Sequence, residues 1–201
     1  MPEESKKWFV GGLKGYPELM AELFALALGV GMNEFTKPIA IADGGISLYE
    51  EADQKFQDLR FILDYYHFKE HLHETAEAMG LNKEESKNWV DHKKDLAWNG
   101  EILALKTALQ DDYERTEVDR LRKLINHIER FKDCISYGKF QAEGYPIGSG
   151  EIESAHRYIT QKRLKIAGAC WRKENINPML ALRIIKANGW WDDFWGGQKA
   201  A

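Results

Sequence analysis

Residues 37–50 read KPIAIADGGISLYE and residues 60–71 read RFILDYYHFKEH. Lys37 to Ala42 is short, apolar and β-leaning, and Asp43-Gly44-Gly45 stops it, which predicts a buried strand. Ser47-Leu-Tyr-Glu50 has capping-box spacing, so a helix is expected from there to about Phe56. Arg60 to Tyr66 predicts a second strand. Upstream, Pro17 to Met32 carries apolar residues at helical spacing, with Pro in the first turn and an end near Gly29–Gly31. The order helix, strand, helix, strand with short connections is an α/β unit whose strands are expected to be parallel.

Downstream the pattern changes. From His67 to about Lys139 no strand pattern occurs, and periodic Leu, Ile, Ala and Trp among charges predict amphipathic helices broken at Gly80 and Gly100. Gly144-Tyr-Pro146 ends that block. Gly148-Ser149-Gly150 then opens a helix, EIESAHRYITQKRLKIAG, with Ser149 as N-cap. A last helix over about 177–188 precedes the aromatic end GWWDDFW. The fold class is α/β and mostly helical, in segments 1–67, 68–145 and 146–201.

The length, 201 residues, suits about one domain. With 44% hydrophobic and 30% charged residues, the chain has a globular composition rather than a disordered one. No apolar run reaches the roughly eighteen residues of a membrane helix; Leu19 to Val30 is the longest and Glu22 interrupts it. The first residues lack a secretory signal, and two cysteines make neither a disulfide framework nor a zinc site. A cytoplasmic location is expected. The net charge of −4 hides an asymmetry. Residues 151–201 hold nine Lys/Arg against five acids, a balance of +4 that leaves −8 on the remainder. A basic end on an acidic body permits local phosphate contact, and it also describes a solvated helix face.

Asp43, Asp64 and Glu153 form the first candidate constellation. Carboxyl ends of parallel strands line ligand crevices, and hard divalent cations take carboxylate oxygen. Two such ions stabilise attacking and leaving oxygens in phosphoryl transfer. Asp43-Gly44 also makes an ordinary turn, and Glu153 also complements a helix dipole. A second constellation is histidine-rich. His67 and His71 share a helical face, and both Glu70-x-x-His73 and Glu153-x-x-His156 are Glu-x-x-His pairs, as in di-iron helical bundles. Third, Arg157, Lys162, Arg163 and Lys165 follow Glu153 on one helix and suit a nucleic-acid backbone beside carboxylates. Trp171, in AGACW, suits a core position.

Taken together, IAD43GG, FILD64YYH67FKEH71L, YPIGSGEIE153SAHR157, R163LKIAG168ACW171, MLALR183 and WWDDFW195 resemble the C-terminal part of bacterial insertion-sequence transposases of the Kra type. These belong to the DDE group, near the Mutator-like branch. The likeness runs from about residue 8 to 196, and Gly-Ser-Gly-x-x-Glu-Ser followed by Arg-x-x-Gly-x-x-Trp is its most specific piece. The resemblance implies a partial RNase H-like sheet, a large all-helical insertion, and Mg²⁺- or Mn²⁺-dependent DNA cleavage and strand transfer. By position, Asp43 and Glu153 would be catalytic metal ligands, with Asp64 and His67 supporting. Glu151 lies about 200° from Glu153 around a helix. Arg157, Lys162 and Arg163 would hold DNA. The family's first catalytic aspartate precedes the helix at 17–32, yet residues 1–42 contain no Asp. The chain is therefore expected to be inactive alone, with DNA and a full-length transposase copy or a homo-oligomer as partners and no membrane. Two alternatives stay open: a non-catalytic remnant that binds DNA or a transposase, and a di-iron helical-bundle protein.

Overall fold

The structure is a computed structural model that describes residues 6–198. The protein is mostly helical, with one small sheet. Backbone contacts group the chain into two compact units. One comprises residues 37–49 and 58–149; the other comprises 50–57, 150–198 and the described residues up to 36. Among the described residues no helix is long and apolar enough to cross a membrane.

The first of these units holds both strands, β1 (Ile39–Ala42) and β2 (Arg60–Leu63). They pair in parallel, with Ala42 opposite Leu63. β2 is shorter than its sequence suggests. Asp64 accepts hydrogen bonds from the N–H groups of Tyr66 and His67 and so caps α3 (Tyr65–Ala78), which takes the two tyrosines out of the strand. Helix α2 (Ile46–Lys55) starts ahead of Ser47, so Ser47 lies inside its first turn instead of capping it. Four more helices follow: α4 (Lys83–Trp98), α5 (Ile102–Thr116), α6 (Asp119–Arg130) and α7 (Tyr137–Ala142). The breaks at Gly80 and Gly100 fall where expected, both with positive φ. The break between α5 and α6 is made by Glu117, a non-glycine residue at φ 53°, which glycine and proline positions do not announce.

One apolar core runs through this unit, with Leu63, Phe68, Leu72, Leu105 and Ile128 almost fully buried. A polar network crosses it between α4 and α5. Buried Asp112 receives the Trp89 indole N–H at 2.7 Å and pairs with Lys93 at 3.0 Å and Arg115 at 2.6 Å. These three donors answer the lone pairs of a carboxylate held out of water. The Tyr137 hydroxyl has no such answer: it is buried without a hydrogen-bond partner, and burial pushes its acidity well out of the ordinary phenol range. Tyr137→Phe keeps the ring contacts to Tyr65 and Phe68. It is expected to raise stability by about 1 kcal/mol in urea unfolding; a loss of stability would show that the hydroxyl is satisfied in solution.

The other unit contains α1 (Tyr16–Gly29), the end of α2, and the C-terminal elements. Those elements are α8 (Gly150–Ala155), a π-helical turn (His156–Gln161), α9 (Lys162–Leu164), a 3-10 turn (Lys173–Asn175), α10 (Ile176–Ala187) and α11 (Trp191–Gln198). The expected helix after Gly148-Ser149-Gly150 is thus interrupted by a wide turn, and the aromatic end is itself helical. Met20, Ala52, Ile159 and Leu180 are its buried apolar side chains. Trp171 departs from the core position expected of it. It is 38% exposed, and its indole N–H bonds the Arg163 carbonyl at 3.0 Å.

Candidate functional site

Parallel pairing with Ala42 opposite Leu63 sets Asp43 and Asp64 as the next residues beyond the carboxyl ends of the two strands. Their environments differ sharply. Asp64 is fully buried. Besides capping α3, its Oδ2 takes the Ser149 N–H at 2.5 Å, and the Ser149 side chain also bonds to it. Burial pushes this carboxyl up, but the hydrogen bonds from Ser149, His67 and Tyr66 outweigh it and hold the group below the usual carboxylate range. Next to it, the Tyr65 N–H donates to the Ile147 carbonyl at 2.9 Å. Asp64 is therefore the peg that fastens the Gly148-Ser149 turn, from which α8 starts at the next residue. Ser149 spends its hydroxyl on that peg.

Asp43 is exposed. Its Oδ1 receives only the Gly45 N–H, at 3.2 Å, among the described residues. Gly44 between them is buried at φ +84°, and a Cβ there would lie 2.6 Å from Cε1 of His127. The Asp43 turn is thus pressed onto α6. His67, expected to support the site, turns its Nδ1 toward Glu70 Oε2 at 2.9 Å.

Close to this turn, α3 and α6 enclose a cavity of about 160 Å³ lined by His71, Arg120, Lys123, Leu124 and His127. The two imidazoles meet edge-on with ring centroids 5.5 Å apart. Arg120 donates to Nδ1 of His71 at 3.1 Å and pairs with Glu74. Nδ1 of His71 also lies 3.4 Å from Glu74 Oε2, so a donor and an acceptor both face that nitrogen. Burial, then Arg120 and His67, lower the His71 pKa against Glu70 and Asp43. Burial, then His71 and Arg130, lower that of His127 to about 4 against Asp43. Nε2 of His127 is buried without a partner. Sequence reasoning gave His71 a role only as a di-iron ligand and passed over His127, Arg120 and Lys123. The signal was present: residues 120, 123, 124 and 127 recur at the spacing of one helical face.

Glu153 sits exposed in the first turn of α8, in no ion pair or hydrogen bond with a described residue. Glu151 pairs with Lys7 at 2.6 Å. Beyond Glu153 a groove of about 440 Å³ is lined by Ser154, Arg157, Tyr158, Gln161, Lys162 and Lys165. Arg157 and Lys162 therefore share one groove, and Lys165 joins them. Arg163 is not among the lining residues. The π-helical turn loosens the ordinary carbonyl pairing, and Arg183 of α10 answers it by donating to the carbonyls of Tyr158 and Ile159. The Tyr158 ring, half exposed, has both Arg183 and Lys162 within cation–π reach.

The sequence-derived residues are thus distributed between the two units: Asp43, Asp64 and His67 in one, Glu153, Arg157, Lys162 and Arg163 in the other. The same division separates Glu70-x-x-His73 from Glu153-x-x-His156. Exposed carboxylates such as Asp43 and Glu153 have the oxygen chemistry that magnesium prefers. Among the described residues no three His, Cys, Asp or Glu side chains are grouped as metal ligands. Comparison with protein-family profiles, curated proteins and solved structures gives no match to this chain.

Proposed function

We infer that this chain is the C-terminal part of a DDE transposase with an RNase H-like core, acting on DNA phosphodiesters. The observation that supports this best is the Asp64–Ser149 fastening. It ties the end of a parallel strand, one position across from exposed Asp43, to the turn that launches the glutamate helix. Asp43 and Glu153 would hold Mg²⁺ or Mn²⁺, which when bound activates the attacking oxygen and steadies the leaving one. Arg157 and Lys162, with Lys165, would grip backbone phosphates; Arg163 would make an outlying contact. His67 and Asp64 act as positioning residues. Residues 1–42 hold no Asp, so the third carboxylate of such a site would come from outside these 201 residues, as from a full-length transposase copy.

Fluorescence anisotropy on duplex DNA tests the reading. Four phosphate contacts predict a log–log salt slope of about −3.6, falling to about −1.8 in Arg157→Gln/Lys162→Gln. No binding at low salt would overturn it. The purified chain is expected not to nick plasmid. Metal-dependent nicking abolished by Glu153→Ala would instead make it an active enzyme. Binding without nicking, even when a full-length copy is supplied, would favour the binding-only remnant.

A further inference from the structure

We propose that the cavity between α3 and α6 is a phosphate-binding site, built by His71, Arg120, Lys123 and His127 beside the Asp43 turn. Its lining carries four nitrogen-bearing side chains, one leucine and no carboxylate. The acids nearby are on the outside of that lining. Glu74 pairs with both Arg120 and His71, Asp119 is shared by Lys123 and Arg122, and the charges of Glu70 and Asp43 reach His71 from outside. A divalent cation in this space would face Arg120 and Lys123 and be repelled by both. An oxyanion would be attracted by both, and the imidazoles of His71 and His127 border the space it would fill. The volume of about 160 Å³ holds one phosphate group with room for a water, not a whole nucleotide. Gly44 packs on His127 and the Asp43 charge acts on both imidazoles, so a phosphate here would sit next to the proposed catalytic aspartate. Only the carrier of that phosphate, a DNA backbone, rests on the function proposed above; the site itself does not.

Inorganic phosphate is the probe, added to the full chain at constant ionic strength while the histidine ring signals are followed by NMR and assigned with His71→Gln and His127→Gln. Saturable shifts confined to His71 and His127 are expected. They should weaken about tenfold in Lys123→Gln, an exposed position whose substitution leaves the core untouched, and in Arg120→Gln. Shifts that chloride reproduces, or none at tens of millimolar phosphate, would overturn the site and leave ordered water as its content. A duplex oligonucleotide then separates the sources. Perturbation of the same two rings by DNA, relieved by phosphate, assigns the site to a backbone phosphate. Phosphate binding that DNA neither mimics nor displaces keeps the site, for free phosphate or a phosphomonoester, and counts against the DNA reading. DNA binding with both rings unmoved by phosphate overturns the site and leaves that reading standing.

Discussion

Asp64→Ala is expected to lower stability by about 4 kcal/mol and to release the Gly148-Ser149 turn. Loss of an N-cap contributes about 1 kcal/mol. The bonds from Ser149 end on a buried, charged acceptor, where each is worth roughly 1.5–3 kcal/mol. Urea unfolding reads the first effect, and faster amide exchange at Ser149 and at Tyr65, which bonds the Ile147 carbonyl, reads the second. Asp64→Asn separates them: its oxygen still caps α3, while its amide nitrogen confronts the Ser149 N–H donor to donor. That variant should keep the cap and lose the fastening. The pH dependence has a definite sign. The folded Asp64 pKa lies below the ordinary 3.8, so its contribution is present above pH 3.8 and is lost as pH falls through the folded value. The alanine variant should lack that part of the acid transition. An alanine variant within 1 kcal/mol of the parent would remove Asp64 from its place as the peg.

The same residue shows what could be read from sequence. The two strands and their parallel order were legible because KPIAIA and RFIL are β-leaning runs stopped by a turn and a charge. Tyr65 and Tyr66 were misread because their β propensity continues the run, while the competing N-cap depends on which backbone N–H groups lie within reach of Asp64. Asp64 itself was identified, though its burial under Ser149 needed a contact 85 positions away in sequence. The π-helical turn was invisible for another reason. Residues 150–164 keep a helical hydrophobic period throughout, and the carbonyls it leaves under-bonded are answered by Arg183, on a different helix. The His71–His127 cavity escaped because its lining comes from two helices far apart in sequence, and the periodicity that sets 120, 123, 124 and 127 on one face does not say which helix that face meets.

Gly44→Ala is expected to cost about 3 kcal/mol and to disturb Asp43 and the cavity together. Two separate penalties act at this position. The backbone there has φ +84°, which an alanine adopts only at a cost of roughly 1 kcal/mol or more. The added methyl would also lie 2.6 Å from His127 Cε1, 2.7 Å from Leu63 Cδ1 and 3.0 Å from Phe131 Cε2. Leu63 and Phe131 are each 1% exposed and belong to the main core, so they cannot swing aside. Overpacking of this kind costs roughly 1–3 kcal/mol. His127 borders the cavity and is the neighbour with room to give, so the strain should appear as a shifted His127 ring signal. Gly45→Ala is the matched control. Its Cβ would meet nothing nearer than Asp43 Oδ1 at 3.6 Å, so its stability should stay within about 0.5 kcal/mol of the parent. If both variants proved equally mild, the Asp43 turn would not be pressed against α6. The adjacency of aspartate, imidazoles and cavity would then fail as a basis for phosphate binding there. If only Gly44→Ala is severe, the glycine of the Asp-Gly pair is required for packing, and Asp43 owes its exposed position at the strand end to that packing.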